Sequence, residues 1–250
     1  MSTIAFPAGG YAFVPGVFQY SAGVRALPGH RIERVRFAHP VPLMDGFQRI
    51  SAHLHAIGRP LAAFCACELR SPAPFMEDGF RAFNEAYATV LRMWGLLATG
   101  HNPVARSNVC PAVAPPPEPS FHAFCYARPL ADAPASFVVA GSGEVPEGKD
   151  NYRDHIVALG DVSPTGMRAK VRYVVSEMER RLAALGTSWA AVTATQVYTV
   201  QDFHPFIAEE LLARGAGPHG LTWHFDRPPV VGLDYEMDCR GIHIESVLPD

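Results

Sequence analysis

The sequence predicts an α+β protein built from two similar units in tandem. Three observations carry that reading. The second half runs strand, helix, strand, helix and closes on strands; the first half repeats the same order; and a proline-rich seam separates them near residue 130.

In the first half, Asp45 to Gly58 reads as a helix that ends on glycine. Leu61 to Leu69 (LAAFCACEL) reads as a strand, and EDGFRAFNEAYATVLRMWG as a second helix. Strands are expected around Val104 to Cys110 and Ser120 to Ala127, divided by APPPEP, whose prolines exclude it from a central strand. Arg128 to Ala135 (RPLADAPA) is the linker, so the expected domains are residues 1–129 and 130–250. The second half opens with the strand Ser136 to Ala140 and the loop GSGEVPEG. Ser163 can cap the clearest helix, with Pro164 in its first turn. Met167, Val171, Val174, Met178, Leu182 and Leu185 then recur at helical spacing until Gly186. Trp189 to Val200 alternates like a strand, and Asp202 caps a shorter helix ending near Gly215. Leu221 to Phe225 and Leu233 to Ile244 are expected as closing strands. Strands such as LAAFCACEL are apolar on both faces, which favours burying the sheets against further sheets in a homotrimer.

Composition narrows the function. The 250 residues are 48% hydrophobic and 18% charged, with a net charge of −3 and no basic run, so no nucleic-acid partner is expected. The N-terminal stretch has no basic start and is broken by Pro7, Gly9, Gly10 and Pro15, which argues against a signal or membrane span and for a cytoplasmic protein. Five cysteines lack the spacing of a disulfide framework. Cys65 and Cys67 would share one strand face as core residues, and His53 and His55, two apart on a helix, do not face each other. No zinc spacing exists and GSGEVPEG leads into no helix at phosphate-loop spacing, so neither metal nor cofactor is expected.

Several motifs then point to a family. QYSAGVRA (Gln19 to Ala26), FNEAY (Phe83 to Tyr87) and NPVARSNV (Asn102 to Val109) occur in the order of similar segments in the Rid (YjgF) superfamily. FVVAGSGEVP (Phe137 to Pro146) resembles that family's strand and glycine loop, and DYEMDCRGIHIES (Asp234 to Ser246) falls where the family has a Glu-bearing last strand. The resemblance implies two tandem Rid/YjgF-like, chorismate-mutase-like domains, each a mixed β-sheet with two helices on one face. It also implies sites between domains, at which imines or enamines are hydrolysed to keto acids. DCRG and PSFHA (Pro119 to Ala123) are also similar to stretches of chorismatases, two-domain relatives. A chorismatase-like hydrolase is therefore one alternative, and a catalytically silent metabolite binder another.

The chemistry such a site needs is simple. A guanidinium offers a planar fork to a carboxylate, a nearby carboxylate can take a proton from water, and a glycine lets backbone approach the substrate. The first half carries Tyr20, Asn84 and Arg106 at the family's positions, but His39 replaces its loop glycine and His122 stands near its catalytic Glu. The second half carries Gly143 and a last-strand Glu, while Ile207 takes the Asn position and Gly220 or Leu221 the Arg position. Each half keeps what the other lost. The expectation is one composite site binding a small carboxylate substrate through Arg106, Asn84, Tyr20 and Gly143. Its catalytic Glu is Glu236 if the halves are aligned on Cys125 and Cys239, or Glu245 if IHIES is paired with the family's last strand.

Overall fold

The computed structural model describes residues 2–98, 100–149 and 151–249. The first half supplies strands β1 (Ile4–Phe6), β2 (Tyr11–Val14), β3 (Gly23–Ala26) and β4 (His30–Pro42), then helix α1 (Leu43–Ala56) and β5 (Phe64–Arg70). Helix α2 (Glu77–Met93), β6 (Ala105–Pro111) and β7 (Ser120–Pro129) complete it. The second half runs β8 (Phe137–Gly143), α3 (Pro164–Ala184), β9 (Ala194–Tyr198) and a wider, π-type helix α4 (Ile207–Ala216). It closes with β10 (Thr222–His224), β11 (Asp226–Arg227), β12 (Glu236–Gly241) and β13 (Glu245–Leu248).

The helices form where the apolar spacing put them. The Ser163 hydroxyl accepts the Gly166 N–H, Pro164 occupies the first turn, and Gly186 takes φ +75 just past the end of α3. The buried face of α3, from Met167 to Leu182, packs on Phe137, Val139 and Met237 of the sheet. Phe47, Ile50 and Leu54 of α1 and Tyr87 of α2 pack likewise on Phe64, Phe121 and Phe124. The α4 segment departs from the expected α-helix. Its wider winding turns Phe206, Leu211 and Ala216, spaced five apart, into the core. The strand expected over Trp189–Val200 is shorter, because Trp189–Ala191 forms a tight turn first.

The strands sort into a seven-stranded sheet, β1-β2-β3-β8-β12-β9-β10, and a six-stranded sheet, β11-β6-β5-β7-β4-β13. The two halves of the chain thus exchange segments. β3 pairs antiparallel with β8 of the second half, and β13 returns to pair in parallel with β4 of the first. The sheets share a third core in which Phe13, Val24 and Ala140 of one meet Cys65, Ala66 and Cys125 of the other. Every residue of β5 is consequently buried within a single chain. The second layer that LAAFCACEL demands comes from the same molecule.

One local expectation fails. Cys65 lies in the layer between the sheets, whereas Cys67 faces α2, its sulfur 3.3 Å from the Tyr87 hydroxyl. A register shift between Phe64 and Ala66 in the pairing of β5 with β7 explains it, since one extra residue rotates the following side chains to the opposite face. Among the described residues no group of three or more His, Cys, Asp or Glu is placed to hold a metal ion, and no helix is long and apolar enough to cross a membrane.

Candidate active site

A cavity opens where α2 and β6 of the first half meet the end of β8 and the start of β12 of the second. Tyr20, Arg106, Gly143 and Glu236 all line it.

Arg106 enters from β6 and is almost fully buried. Its guanidinium sits among aromatic rings, 4.8 Å from the centroid of Tyr87, 5.5 Å from Phe83 and 5.7 Å from Tyr20. These faces are attractive to a cation but accept no strong hydrogen bond. Asn84 on α2 fixes the group in rotation, its Oδ1 accepting Nη2 at 2.6 Å. The Nη1 atom is buried with no partner, a costly state for a charged donor unless a ligand completes it. Asn84 therefore acts through Arg106. The segment carrying Tyr20 is tied to the start of β6 by the Ser21 N–H bonded to the Val104 carbonyl, 2.9 Å.

Glu236 is the first residue of β12, in register with Gly143 of β8 and Tyr198 of β9. It is 4% exposed. Burial, reinforced by the nearby negative charge of Asp238, pushes its carboxyl well above the usual carboxylate range, and the positive charges of Arg181 and Arg106 offset this only in part. The close approach that makes room for it comes from Gly141: a Cβ there would lie 2.2 Å from Glu236 Oε1 and 3.2 Å from the Ser107 Cα. At Gly143 a Cβ would instead press on Leu233, at 2.9 Å.

The position of Glu236 is braced from behind. Glu144 accepts the backbone N–H groups of Asp234 and Tyr235, at 2.6 and 3.1 Å, and meets Lys170 Nζ at 3.3 Å. Burial pushes the Glu144 carboxyl up to about 7. Arg181 of α3 grips the other strand, donating Nη1 to the carbonyls of Ala140 and Gly141 and Nη2 to Glu147 at 2.7 Å. Glu147 lines the cavity beside Tyr20.

The structure does not bring Glu245 to this cavity. Glu245 lies on β13, at the far edge of the other sheet, with its side chain 41% exposed and paired to Arg240 Nε at 2.6 Å and Arg34 Nη1 at 3.4 Å. His122 faces Glu68 at 4.0 Å, and burial lowers its pKa to about 3, so it stays neutral. Gly141, Glu147, Arg181 and Asn108 escaped the sequence reading. For Gly141 a signal existed: it begins the GSG triplet of a strand that otherwise carries side chains.

The comparisons agree with this architecture. A family model described as "2-aminomuconate deaminase CnbZ" matches residues 3–246. A 2-amino-5-chloromuconate deaminase of Comamonas testosteroni is 51% identical over 247 residues, covering 98% of each chain. Among solved structures, a chorismatase superposes with TM-score 0.53 at 12% identity, covering 96% of this chain and 79% of that one. The YjgF gene product of E. coli matches 43% of this chain and 80% of its own, with TM-score 0.32 and 13% identity. The chorismatase likeness shows a shared tandem α+β fold. With a family model spanning nearly its whole length, the chain belongs to the 2-aminomuconate deaminase CnbZ family.

Proposed function

We propose that this protein hydrolyses the enamine of a 2-aminomuconate-type acid, releasing ammonia and leaving a 2-oxo acid. Arg106 holds the substrate's 2-carboxylate and Glu236 moves the protons. Family membership and the end-to-end relative support a deaminase of a small unsaturated carboxylic acid. The observation that carries the residue assignment is the pairing, in one cavity, of a buried guanidinium with an orphaned donor and a buried carboxyl that favours its proton.

The chemistry follows from that starting state. Glu236, protonated, donates to the enamine carbon next to C2, and the electron pair of nitrogen forms the C=N bond of an iminium ion. The carboxylate so produced takes a proton from water as its oxygen bonds to C2. Collapse of the resulting carbinolamine expels ammonia, and the proton from its hydroxyl completes the leaving group. Water is consumed, a ketone and ammonia are formed, and Glu236 regains its proton over the cycle. Arg106 keeps C2 fixed beside Glu236 and offsets the charge of the acid. Tyr20, beside the Arg106 guanidinium, and Gly143 complete the lining.

Ammonia and 2-oxo acid released from 2-aminomuconate by the purified protein, with one acid bound per chain, are the expected results. No ammonia at micromolar enzyme, or two equal sites per chain, overturns the proposal. Three further features belong to the same proposal. The chain divides into domains near residue 130, with their terminal strands exchanged. The protein is cytoplasmic, which the five unpaired, buried cysteines favour. It assembles as a homotrimer, for which Trp223, Phe225 and Val247, 43%, 53% and 54% exposed, offer apolar contact surface; a single-chain mass in light scattering overturns that assembly.

A further inference from the structure

Asn108 lies two residues beyond Arg106 on β6 and lines the same cavity. Successive strand residues point to opposite faces, so Arg106 and Asn108 share one face, while Ser107 between them turns to the other sheet and donates to Asp238 at 2.7 Å. Asn108 is 3% exposed. Its Oδ1 accepts the Ser71 hydroxyl at 2.9 Å, which fixes the amide plane, and its Nδ2 is left buried with no partner. Ser71 is itself held, its N–H bonded to the Val109 carbonyl at 2.8 Å. Two residues of the same strand that line one cavity thus each hold a buried donor with no partner. A buried donor with no acceptor is costly, which makes both donors candidates for ligand contacts.

We infer that Asn108, oriented by Ser71, is a second anchor of the site and recognises the far carboxylate of a dicarboxylic substrate. The inference rests on the proposed muconate-type substrate and deepens it. Two strand residues span about 6.6 Å of backbone, comparable to the separation of the end carbons in an extended six-carbon diacid. With one end held by Arg106, the other end falls toward Asn108. A neutral amide suits the second position. The remaining cavity carboxylate, Glu147, is already paired with Arg181, and Glu236 favours its proton, so one guanidinium and one amide donor can serve two carboxylates without a further buried cation. The amide also selects: a substrate ending in a methyl group would leave Nδ2 unpaired, and a site built to bond a polar group rejects the analogue lacking it.

Muconate and sorbate (2,4-hexadienoate) share the six-carbon diene, but sorbate has a methyl group in place of one carboxylate. Their dissociation constants are to be measured by calorimetry on the wild type, N108A and N108D. The expected result is a wild-type preference for muconate of about ten- to a hundredfold, the range for a hydrogen bond to a charged group. N108A should abolish that preference and N108D reverse it by repelling the second carboxylate, while sorbate binding, which needs a folded pocket and Arg106, stays within about twofold. Loss of muconate and sorbate affinity in equal proportion in both variants overturns the role of Asn108, even if 2-aminomuconate is still hydrolysed. Failure of the wild type to bind muconate or act on 2-aminomuconate removes the proposed function and this inference together.

Discussion

Two places in the molecule bring arginines of one sheet near glutamates of the other, and they differ in how those charges are used. In the layer between the sheets Arg34 gives Nε and Nη2 to the two oxygens of Glu68, at 2.6 and 2.8 Å, and Arg240 of the other sheet reaches the same carboxylate at 3.8 Å. Burial alone would raise Glu68, but these guanidinium charges overcome it and hold its carboxyl well below the usual range. In the cavity Arg106 and Glu236 are equally buried, yet Arg106 is held by Asn84 and Glu236 favours its proton. Arg34 and Glu68, both of the six-stranded sheet, satisfy each other and serve the structure; Arg106 and Glu236 are left to meet a substrate. Burial by itself does not tell the two apart, and the hydrogen-bond partners do.

The sharpest break in this comparison is Glu236→Gln. The amide fills the same space but neither donates nor accepts the proton, so turnover should fall by roughly a hundred- to ten-thousandfold with the Michaelis constant little changed. Full activity in this variant removes Glu236 from the chemistry. In the wild type the rate should decline as pH rises through the elevated pKa of Glu236.

Stability gives the second contrast, because the two glutamates predict opposite slopes. Glu68 titrates lower in the folded state than in the unfolded one, so its contribution is present above about pH 4.5 and is lost as pH falls. Glu68→Gln leaves Arg34 buried without its charge partner and should cost on the order of 3 kcal/mol at pH 7, narrowing in acid. Glu236 titrates higher when folded. Its ionised form opposes folding increasingly as pH rises above about 4.5, so Glu236→Gln should gain melting temperature over the wild type at pH 8 and lose that gain near pH 4.5. Parallel slopes for the two variants in chemical-denaturation curves would erase the distinction.

Smaller effects sharpen it. Arg106→Lys keeps the charge but loses the planar fork and the ring stacking, and should raise the Michaelis constant by about ten- to a hundredfold with the fold intact. Glu245→Gln removes a half-exposed partner of Arg34 and Arg240 and should leave turnover within about twofold, costing less than about 1 kcal/mol of stability. A large turnover loss in Glu245→Gln would mean that the two last-strand glutamates have been told apart wrongly.

Much of this was legible in the sequence. The apolar spacing of Met167 to Leu185 and the Ser163-Pro164 start specify α3 almost to the residue. The complementary losses in the two halves anticipated one cavity shared by both, with Arg106, Tyr20 and Gly143 lining it and either Glu236 or Glu245 beside them. What stayed hidden depends on partners distant in the chain. Glu236 and Glu245 occupy similar local patterns, and what separates them is the register of β12 against β8 and the departure of β13 to the other sheet. Asn108 gave no local signal, because an orphaned amide exists only once Ser71 and the cavity surround it. The opposite facing of Cys65 and Cys67 follows from a register shift that alternation cannot reveal.

The exchanged strands constrain how the molecule comes off the ribosome. The seven-stranded sheet needs both β1 to β3, made first, and β12, ending at Gly241; the six-stranded sheet needs β13, ending at Leu248. Neither sheet can close on the nascent chain until its last strand has been made, so the amino-terminal ribbon must wait for β8 and then for β12 to pair beyond it. Such long-range pairing slows folding and leaves an open strand edge exposed meanwhile. Truncation of the last few residues should accordingly damage the amino-terminal half of the protein, where β4 loses its edge partner, rather than the half in which those residues are encoded.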